Sequence, residues 1–374
     1  MMADAKELVD SLCSHGAHFF TGVPDSLLSK FSACLMQQKE VDHLIAVNEG
    51  SAVGLAIGNY LSTGVPSVIY MQNSGLGNVV NPITSLADPQ VYAVPMFLVI
   101  GWRGEPGVHD EPQHVKQGQI TLKQLEVLDI PYCILSEDTA IPEMVEKLWK
   151  QMIKRSGPVA IVVRKGAISG DWSIEAPKNS YSMRREQAIE QLISTLPKNS
   201  FFVATTGKTG RELFELREKY QESQRDFLTV GGMGHASSIA LAVARQHPHR
   251  LTVCLDGDGA FLMHLGAAST IATQQPKCFL HVLLNNGAHE SVGGQPTIGF
   301  EIDYEKLSLA LGYKHYFYAE STEDLQSILK NIDFENLGAT FLEIRLAQGS
   351  RKDLGRPKKT PIENKNSVME FLKC

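Results

Sequence analysis

The fold is decided by Leu251-Thr252-Val253-Cys254-Leu255-Asp256-Gly257-Asp258-Gly259, which is followed after a helix-length gap by Cys278-Phe279-Leu280-His281-Val282-Leu283-Leu284-Asn285-Asn286. The apolar runs Leu251–Leu255 and Cys278–Leu284 each stop on polar residues, and this predicts two parallel strands joined by a crossover helix. A carboxylate and an amide at the ends of two such strands can converge on one hard cation. The glycines on either side of Asp258 let backbone approach phosphate oxygens, and the helix after them offers its first amides to the same anion. A metal-bridged diphosphate site is the chemistry this pattern serves. Taken singly, Asp258 also reads as a helix cap and Asn285-Asn286 as a loop.

Working outward, further short β runs occur at Ser67–Met71, Met96–Ile100 and Val159–Val163, and helical patterns fall between them. This alternation predicts an α/β fold of doubly wound parallel sheets covered on both faces. The two halves open alike. Leu8 and Leu12 mark a helix closed by Gly16, followed by a strand through Phe19 and Phe20 to Gly22; Ala188, Leu192, Ile193 and Leu196 mark a helix stopped by Pro197, then a strand Phe201–Ala204 ending at Thr206-Gly207. An offset of 184 carries Gly50 onto Gly234, Gly75 onto Gly259 and Phe97–Ile100 onto His281–Leu284. One unit used twice explains this, as does chance likeness between two doubly wound units. The polar stretch Ser169–Ser182, with Gly170 and Pro177, is the expected linker between domains at 1–175 and 184–374, with no middle domain. After Gly349 the chain turns basic and non-periodic (Arg351, Lys352, Arg356, Lys358, Lys359) and reads as a solvated tail or an anion contact.

Composition bounds the partners. The 374 residues are 43% hydrophobic and 20% charged with a formal net charge of −6, so neither wholesale disorder nor a general basic field for nucleic acid or anionic membrane is expected. Val91–Trp102, the longest apolar stretch, contains Pro95, is too short to span a bilayer and reads as a buried strand. Asp4, Glu7 and Asp10 give the N-terminus no signal-peptide character, and a cytoplasmic location is expected. Six cysteines without a CxxC pair suggest free thiols.

The GDG and NN elements, 28 residues apart from Asp258 to Asn286, resemble the motif shared by thiamine diphosphate enzymes. The resemblance implies that Asp258, the Asn286 side chain and the Ala288 carbonyl bind Mg²⁺, with Gly257 and Gly259 against the diphosphate. It assigns pyrimidine binding to the N-terminal domain and diphosphate and Mg²⁺ binding to the C-terminal one. Such chemistry needs an acid at N1′ of the aminopyrimidine, and Glu49, after the apolar run Leu44–Val47 and before the small-residue helix Ser51–Tyr60, resembles the family's activating glutamate. The same 184 offset lands Glu49 on Met233. In the turn Gly231-Gly232-Met233-Gly234, Met233 resembles the apolar wedge that bends the coenzyme, or it is core filler, and the Gly231 carbonyl matches the acceptor of the 4′-amino hydrogen. The family also implies a homodimer or larger homo-oligomer with the coenzyme at the subunit interface. Two other patterns are set aside. Thr206-Gly207-Lys208-Thr209 lacks the earlier glycine of a P-loop, and in His109-Asp110-Glu111-Pro112-Gln113-His114 the HExxH order is broken, with Pro112 expected to interrupt the helix.

Gly22-Val23-Pro24-Asp25-Ser26-Leu27, Asn48-Glu49-Gly50, the segment His109–His114 and Gly349-Ser350-Arg351, together with a length that leaves no room for a third domain, resemble the phosphonopyruvate and sulfopyruvate decarboxylases. Fusion of both domains in one chain favours phosphonopyruvate, with CO₂ and phosphonoacetaldehyde as products. His109 and His114 are then candidate proton donors, with Asp25 orienting them, all three on predicted turns. Arg103, Arg351 and Arg356 are candidate holders of the substrate oxyanions, because guanidinium donates in pairs. A sulfopyruvate decarboxylase or carboligase, and a non-catalytic diphosphate binder, remain the other readings.

Overall fold

The structure, a computed structural model, describes residues 3–174, 179–334 and 337–373. The chain divides into two compact units, Met1–Glu175 with Val292–Gln295, and Ala176–Ser291 with Pro296–Cys374. Of the expected linker, residues 175–178, Pro177 among them, lie outside the described residues. Its described ends are tied to the unit beside each. Ser169 pairs with Asp4 in a two-stranded ladder, and Asn179 Nδ2 donates to the Leu346 carbonyl at 3.0 Å.

The first unit carries a six-stranded, wholly parallel sheet in the order Asp42–Ile45, Phe19–Gly22, Ser67–Gln72, Met96–Gly101, Val159–Val163, Tyr132–Leu135. Successive side chains point to opposite faces, and both faces are apolar. Phe97 and Val99 pack with Leu8, Leu12, Leu148 and Met152 on one side, while Leu98 and Ile100 pack with Ala52, Val53, Ala56 and Leu125 on the other. Each fully buried side chain of this kind contributes about 1.5–3 kcal/mol.

The second unit repeats the plan. Its sheet runs Phe227–Leu228, Phe201–Ala204, Thr252–Gly257, Cys278–Asn285, Gly338–Arg345, His315–Ala319, again wholly parallel. Numbered by sequence, both sheets read 2-1-3-4-6-5. In each, the chain winds to opposite sides of the first and third strands, so a topological switch point opens beyond their carboxyl ends, where such folds take ligands.

Several boundaries differ from the sequence reading. Of Val91–Trp102 only Met96–Gly101 is strand; Val91 and Tyr92 are exposed in a turn. The run before Glu49 forms its strand at Asp42–Ile45 rather than Leu44–Val47, and the helix starts at Glu49. The helix after Gly257 is short, Asp258–Met263, and gives way at His264 to a second, Gly266–Gln274. Pro112 does not interrupt a helix but begins Pro112–Val127, because the first turn needs no proline N–H. The basic tail contains the helix Pro361–Lys373. Its Val368 is buried, and Asn364 donates to the Asp226 carbonyl at 2.8 Å and accepts from the Leu228 amide at 3.2 Å, which docks the helix on an edge strand. Phe371 and Leu372 pack beside Val368 on the same core, a short stripe that the charged residues around it obscure. No described helix is long and apolar enough to cross a membrane. Cys13, Cys34, Cys133, Cys254 and Cys278 are free thiols; Cys374 lies outside the described residues.

Candidate active site

In the second unit a cavity sits at the switch point, lined among others by Thr206, Lys208, Met233, Asp258, Asn286 and Glu290. Asp258 follows the strand Thr252–Gly257 and is buried; Thr297 Oγ1 donates to its Oδ2. Burial pushes the Asp258 carboxyl up to about 6, against the pull of the Thr297 hydrogen bond, so the position favours a cation. Asn286 is also buried. Its Nδ2 donates to Glu290 Oε2 at 2.9 Å, and its Oδ1 accepts from the Ala288 amide at 3.1 Å. Between them Gly287 takes φ +68, a left-handed turn that suits glycine, and folds Ala288 back. The Ala288 carbonyl already accepts from the Glu290 amide at 2.9 Å, which leaves a second lone pair. A carboxylate, an amide oxygen and a carbonyl form an all-oxygen set that fits Mg²⁺ rather than a softer metal.

The turn before Asp258 is held from below. Asp256 Oδ1 accepts from the Gly257 amide at 3.1 Å, its Oδ2 lies 3.4 Å from His281 Nε2, and Tyr313 OH lies 2.8 Å from His281 Nδ1. Asp256, His281 and Cys254 are buried together with potential ligand atoms within 4.8 Å of one another. With its ring nitrogens facing Asp256 and Tyr313, His281 serves this relay.

In the first unit Glu49 opens the helix Glu49–Thr63, capped by Asn48, whose side chain accepts from the Ser51 amide at 2.8 Å. Glu49 is 5% exposed. Asn78 Nδ2 donates to its Oε2 at 2.7 Å, and Gly75 packs so closely that a Cβ there would lie 2.5 Å from Oε1. Asp25 follows the strand Phe19–Gly22 at this unit's own switch point and is wholly buried. The Leu27 amide donates to its Oδ2 at 3.1 Å, while Oδ1 has no hydrogen-bond partner among the described residues. Burial pushes the Asp25 carboxyl up to about 6, and the nearby Arg103 charge only partly offsets this. Arg103 donates to Asp110 at 2.8 and 2.5 Å and to Ser26 Oγ at 3.0 Å. Asp110 falls to about 2, because its bonds from Arg103 and the Gly104 amide outweigh the burial that opposes ionisation. His114 sits in the first turn of the helix Pro112–Val127 rather than on a loop; burial, then Arg103, lowers its pKa. His109 is exposed before that helix.

Of the other residues singled out in the sequence, Met233 lines the cavity, whereas Arg351 and Arg356 are not part of its lining. Arg351 is ringed by carboxylates, with Nε 3.0 Å from Glu186, Nη1 3.3 Å from Asp353 and Nη2 on Glu215. Arg356 is exposed. Gly231 is half-buried, and Met233 follows Gly232 in a turn where Gly232 and Gly234 take φ +66 and +85. Sequence reasoning missed Arg185, Lys208 and Glu290. The repeat carried the signal: adding 184 to Asp25 gives Thr209, so the turn dismissed as a broken P-loop is the counterpart of the Asp25 turn.

Comparison with known proteins gives two family matches, "Thiamine pyrophosphate enzyme, N-terminal TPP binding domain" over residues 2–127 and "Thiamine pyrophosphate enzyme, C-terminal TPP binding domain" over residues 206–344. A phosphonopyruvate decarboxylase of Streptomyces viridochromogenes is 33% identical over 387 residues, covering 99% of this chain and 95% of that protein. The chain belongs to the phosphonopyruvate decarboxylase family of thiamine pyrophosphate enzymes. A second family member, from Streptomyces hygroscopicus, is 32% identical over 386 residues, covering 99% of this chain and 94% of its own. A sulfopyruvate decarboxylase of Methanosarcina acetivorans is 28% identical over 298 residues, 74% of each chain. Within the family frame, Asp25, Glu49, Arg103, His109 and His114 fall in the N-terminal match, and Gly231, Met233, Gly257, Asp258, Gly259, Asn286 and Ala288 in the C-terminal one. Arg351 and Arg356 lie outside both.

Proposed function

We propose that the protein is a carboxy-lyase that converts 3-phosphonopyruvate to phosphonoacetaldehyde and CO₂ with thiamine diphosphate and Mg²⁺. The observation that carries this reading is the near end-to-end likeness to proteins named phosphonopyruvate decarboxylase, which cover 99% of the chain, against 74% for the sulfopyruvate relative.

When bound, thiamine diphosphate supplies the electron sink that takes up the pair left by the departing carboxylate. Asp258, Asn286 Oδ1 and the Ala288 carbonyl would hold Mg²⁺, and the backbone of Gly257 and Gly259 would face the diphosphate. Glu49 would hold the proton at N1′ of the bound coenzyme; with Oε2 engaged by Asn78, Oε1 would be the working oxygen. Met233 would pack against the bound coenzyme as its apolar wedge, and the Gly231 carbonyl would accept its amino hydrogen. Asp25, whose carboxyl burial pushes up to about 6, is the group suited to protonating the product carbon, while His114, whose pKa is lowered by burial and then by Arg103, is suited to accepting a proton. His109, exposed before the helix Pro112–Val127, is the second candidate proton donor. Arg103, beside Asp25, is the basic residue best situated to face the substrate's oxyanions, whereas Arg351 already serves three carboxylates. The working unit is a homodimer or a larger homo-oligomer in which Glu49 of one subunit and Asp258 of another serve one coenzyme.

The test is aldehyde formation from phosphonopyruvate, sulfopyruvate and pyruvate, side by side, with thiamine diphosphate and Mg²⁺ added. The highest kcat/KM is expected for phosphonopyruvate. Preference for sulfopyruvate would shift the assignment to the related decarboxylase, and no turnover of any would refute it.

A further inference from the structure

Glu290 is an acid in a cavity read as binding a polyanion. Three donors meet on it: Lys208 Nζ at 2.9 Å and, on the other carboxylate oxygen, Arg185 Nη1 at 3.1 Å and Asn286 Nδ2 at 2.9 Å. Arg185 is already neutralised by Glu212, which takes its Nε at 2.6 Å and Nη2 at 2.9 Å. Around the cavity, Asp258, Glu290 and Glu212 therefore face two cations, Arg185 and Lys208, and the balance is negative before any metal enters.

The contact to Asn286 has a second effect. A carboxylate only accepts hydrogen bonds, so the amide end facing Glu290 must be the NH₂. That fixes Oδ1 on the opposite side, where the Ala288 amide meets it at 3.1 Å. Glu290 thus sets which atom of Asn286 is offered as a metal ligand, and residues that orient ligands in this way typically govern metal affinity by about 10–100-fold.

We propose that Glu290 is a positioning residue that couples the divalent cation to the diphosphate, making coenzyme binding depend on the metal; the proposal rests on the coenzyme reading above. Without metal, its charge opposes the diphosphate and withholds Lys208 and Arg185 from it. With metal, the negative charge is balanced and Asn286 is already oriented. Both effects act in one direction on a single quantity, the ratio of the thiamine diphosphate dissociation constants without and with Mg²⁺.

That ratio is measured by calorimetry on the full chain, with chelator or with saturating Mg²⁺, and needs no turnover. Glu290→Gln is expected to lower it at least tenfold, mainly by tightening binding in chelator and weakening it in Mg²⁺, while Glu290→Asp keeps it within about threefold of wild type. A ratio unchanged in Glu290→Gln would overturn the proposal. Should that variant not fold, Lys208→Gln gives the converse reading: stripping Glu290 of a counter-charge raises the ratio, and an unchanged ratio overturns the proposal equally. Wild-type binding indifferent to Mg²⁺ would refute the coupling and leave the coenzyme reading standing; no wild-type binding at all would remove both.

Discussion

Asn78 and Glu49 are joined by a 2.7 Å hydrogen bond from the Asn78 amide to Glu49 Oε2, and the other carboxylate oxygen faces Gly75, where no side chain fits. The acid is thereby held by Asn78 at one oxygen and packed against Gly75 at the other. Gly75 has φ −71 and ψ −15, a conformation open to alanine, so Gly75→Ala acts through space rather than backbone strain. Its methyl group would lie 2.5 Å from Oε1 and displace it. Turnover is expected to fall at least tenfold, with a stability cost of about 1–3 kcal/mol from overpacking, read by steady-state kinetics and thermal unfolding.

Asp25 sets function against stability. Its folded-state pKa, near 6, lies above the ordinary 3.8, so the native state holds the proton more tightly than the unfolded chain. Stability therefore declines as pH rises from about 4 to about 6, and the penalty is complete above that, at most about 3 kcal/mol. Asp25→Asn is expected to be more stable than wild type at pH 8 and equal to it near pH 3, while losing turnover. Thermal unfolding across that range checks the sign.

The Arg103–Asp110 pair behaves in the opposite sense. Asp110 is lowered to about 2, so its contribution is present above pH 4 and vanishes as pH falls towards 2. Asp110→Asn should cost about 1–3 kcal/mol at pH 7, the value of charged hydrogen bonds lost from a partly buried pair. It also leaves Arg103 unopposed beside His114, whose pKa should fall further, as NMR titration of the imidazole would show.

Chelation provides a test without mutation. Removing divalent cations from the loaded protein should release thiamine diphosphate while leaving the chain folded, seen as coenzyme in the filtrate with unchanged circular dichroism. Asp258→Ala should mimic chelation and resist rescue by added Mg²⁺.

Sharing of the site between subunits has its own readout. Glu49→Gln and Asp258→Ala chains should each be inactive alone. Co-expressed as mixed oligomers, they should regain turnover through the site that receives both intact residues. Mixed oligomers as inactive as the separate variants would place both groups in one subunit.

Much of this was legible in the sequence because strand ends carry the chemistry. The runs Phe201–Ala204 and Val159–Val163 are continuous apolar segments with abrupt polar ends, so elements, parallel pairing and the positions of Asp258 and Asn286 followed together. The strands Tyr132–Leu135 and His315–Ala319 are edge strands in which only Leu135 and Ala319 are buried, and their weaker patterns went unread. The terminal helix was missed because its apolar stripe, Val368, Phe371 and Leu372, is short and follows a basic, non-periodic run, with Asn364 adding hydrogen-bond anchors. Arg185 and Glu290 were invisible for a different reason. They are 105 residues apart, and only the fold brings the first turn of the helix Arg185–Thr195 to the turn after the strand Cys278–Asn285.

The most direct measurement takes one preparation of Glu49→Gln and reads two quantities, Mg²⁺-dependent thiamine diphosphate binding and phosphonoacetaldehyde formation from phosphonopyruvate. Binding close to that of wild type with turnover reduced by at least about 10²-fold is expected, since a positioned proton-transfer group contributes about 10²–10⁴ in rate. Undiminished aldehyde formation would contradict the assignment of Glu49 and, with it, the account of how this chain works.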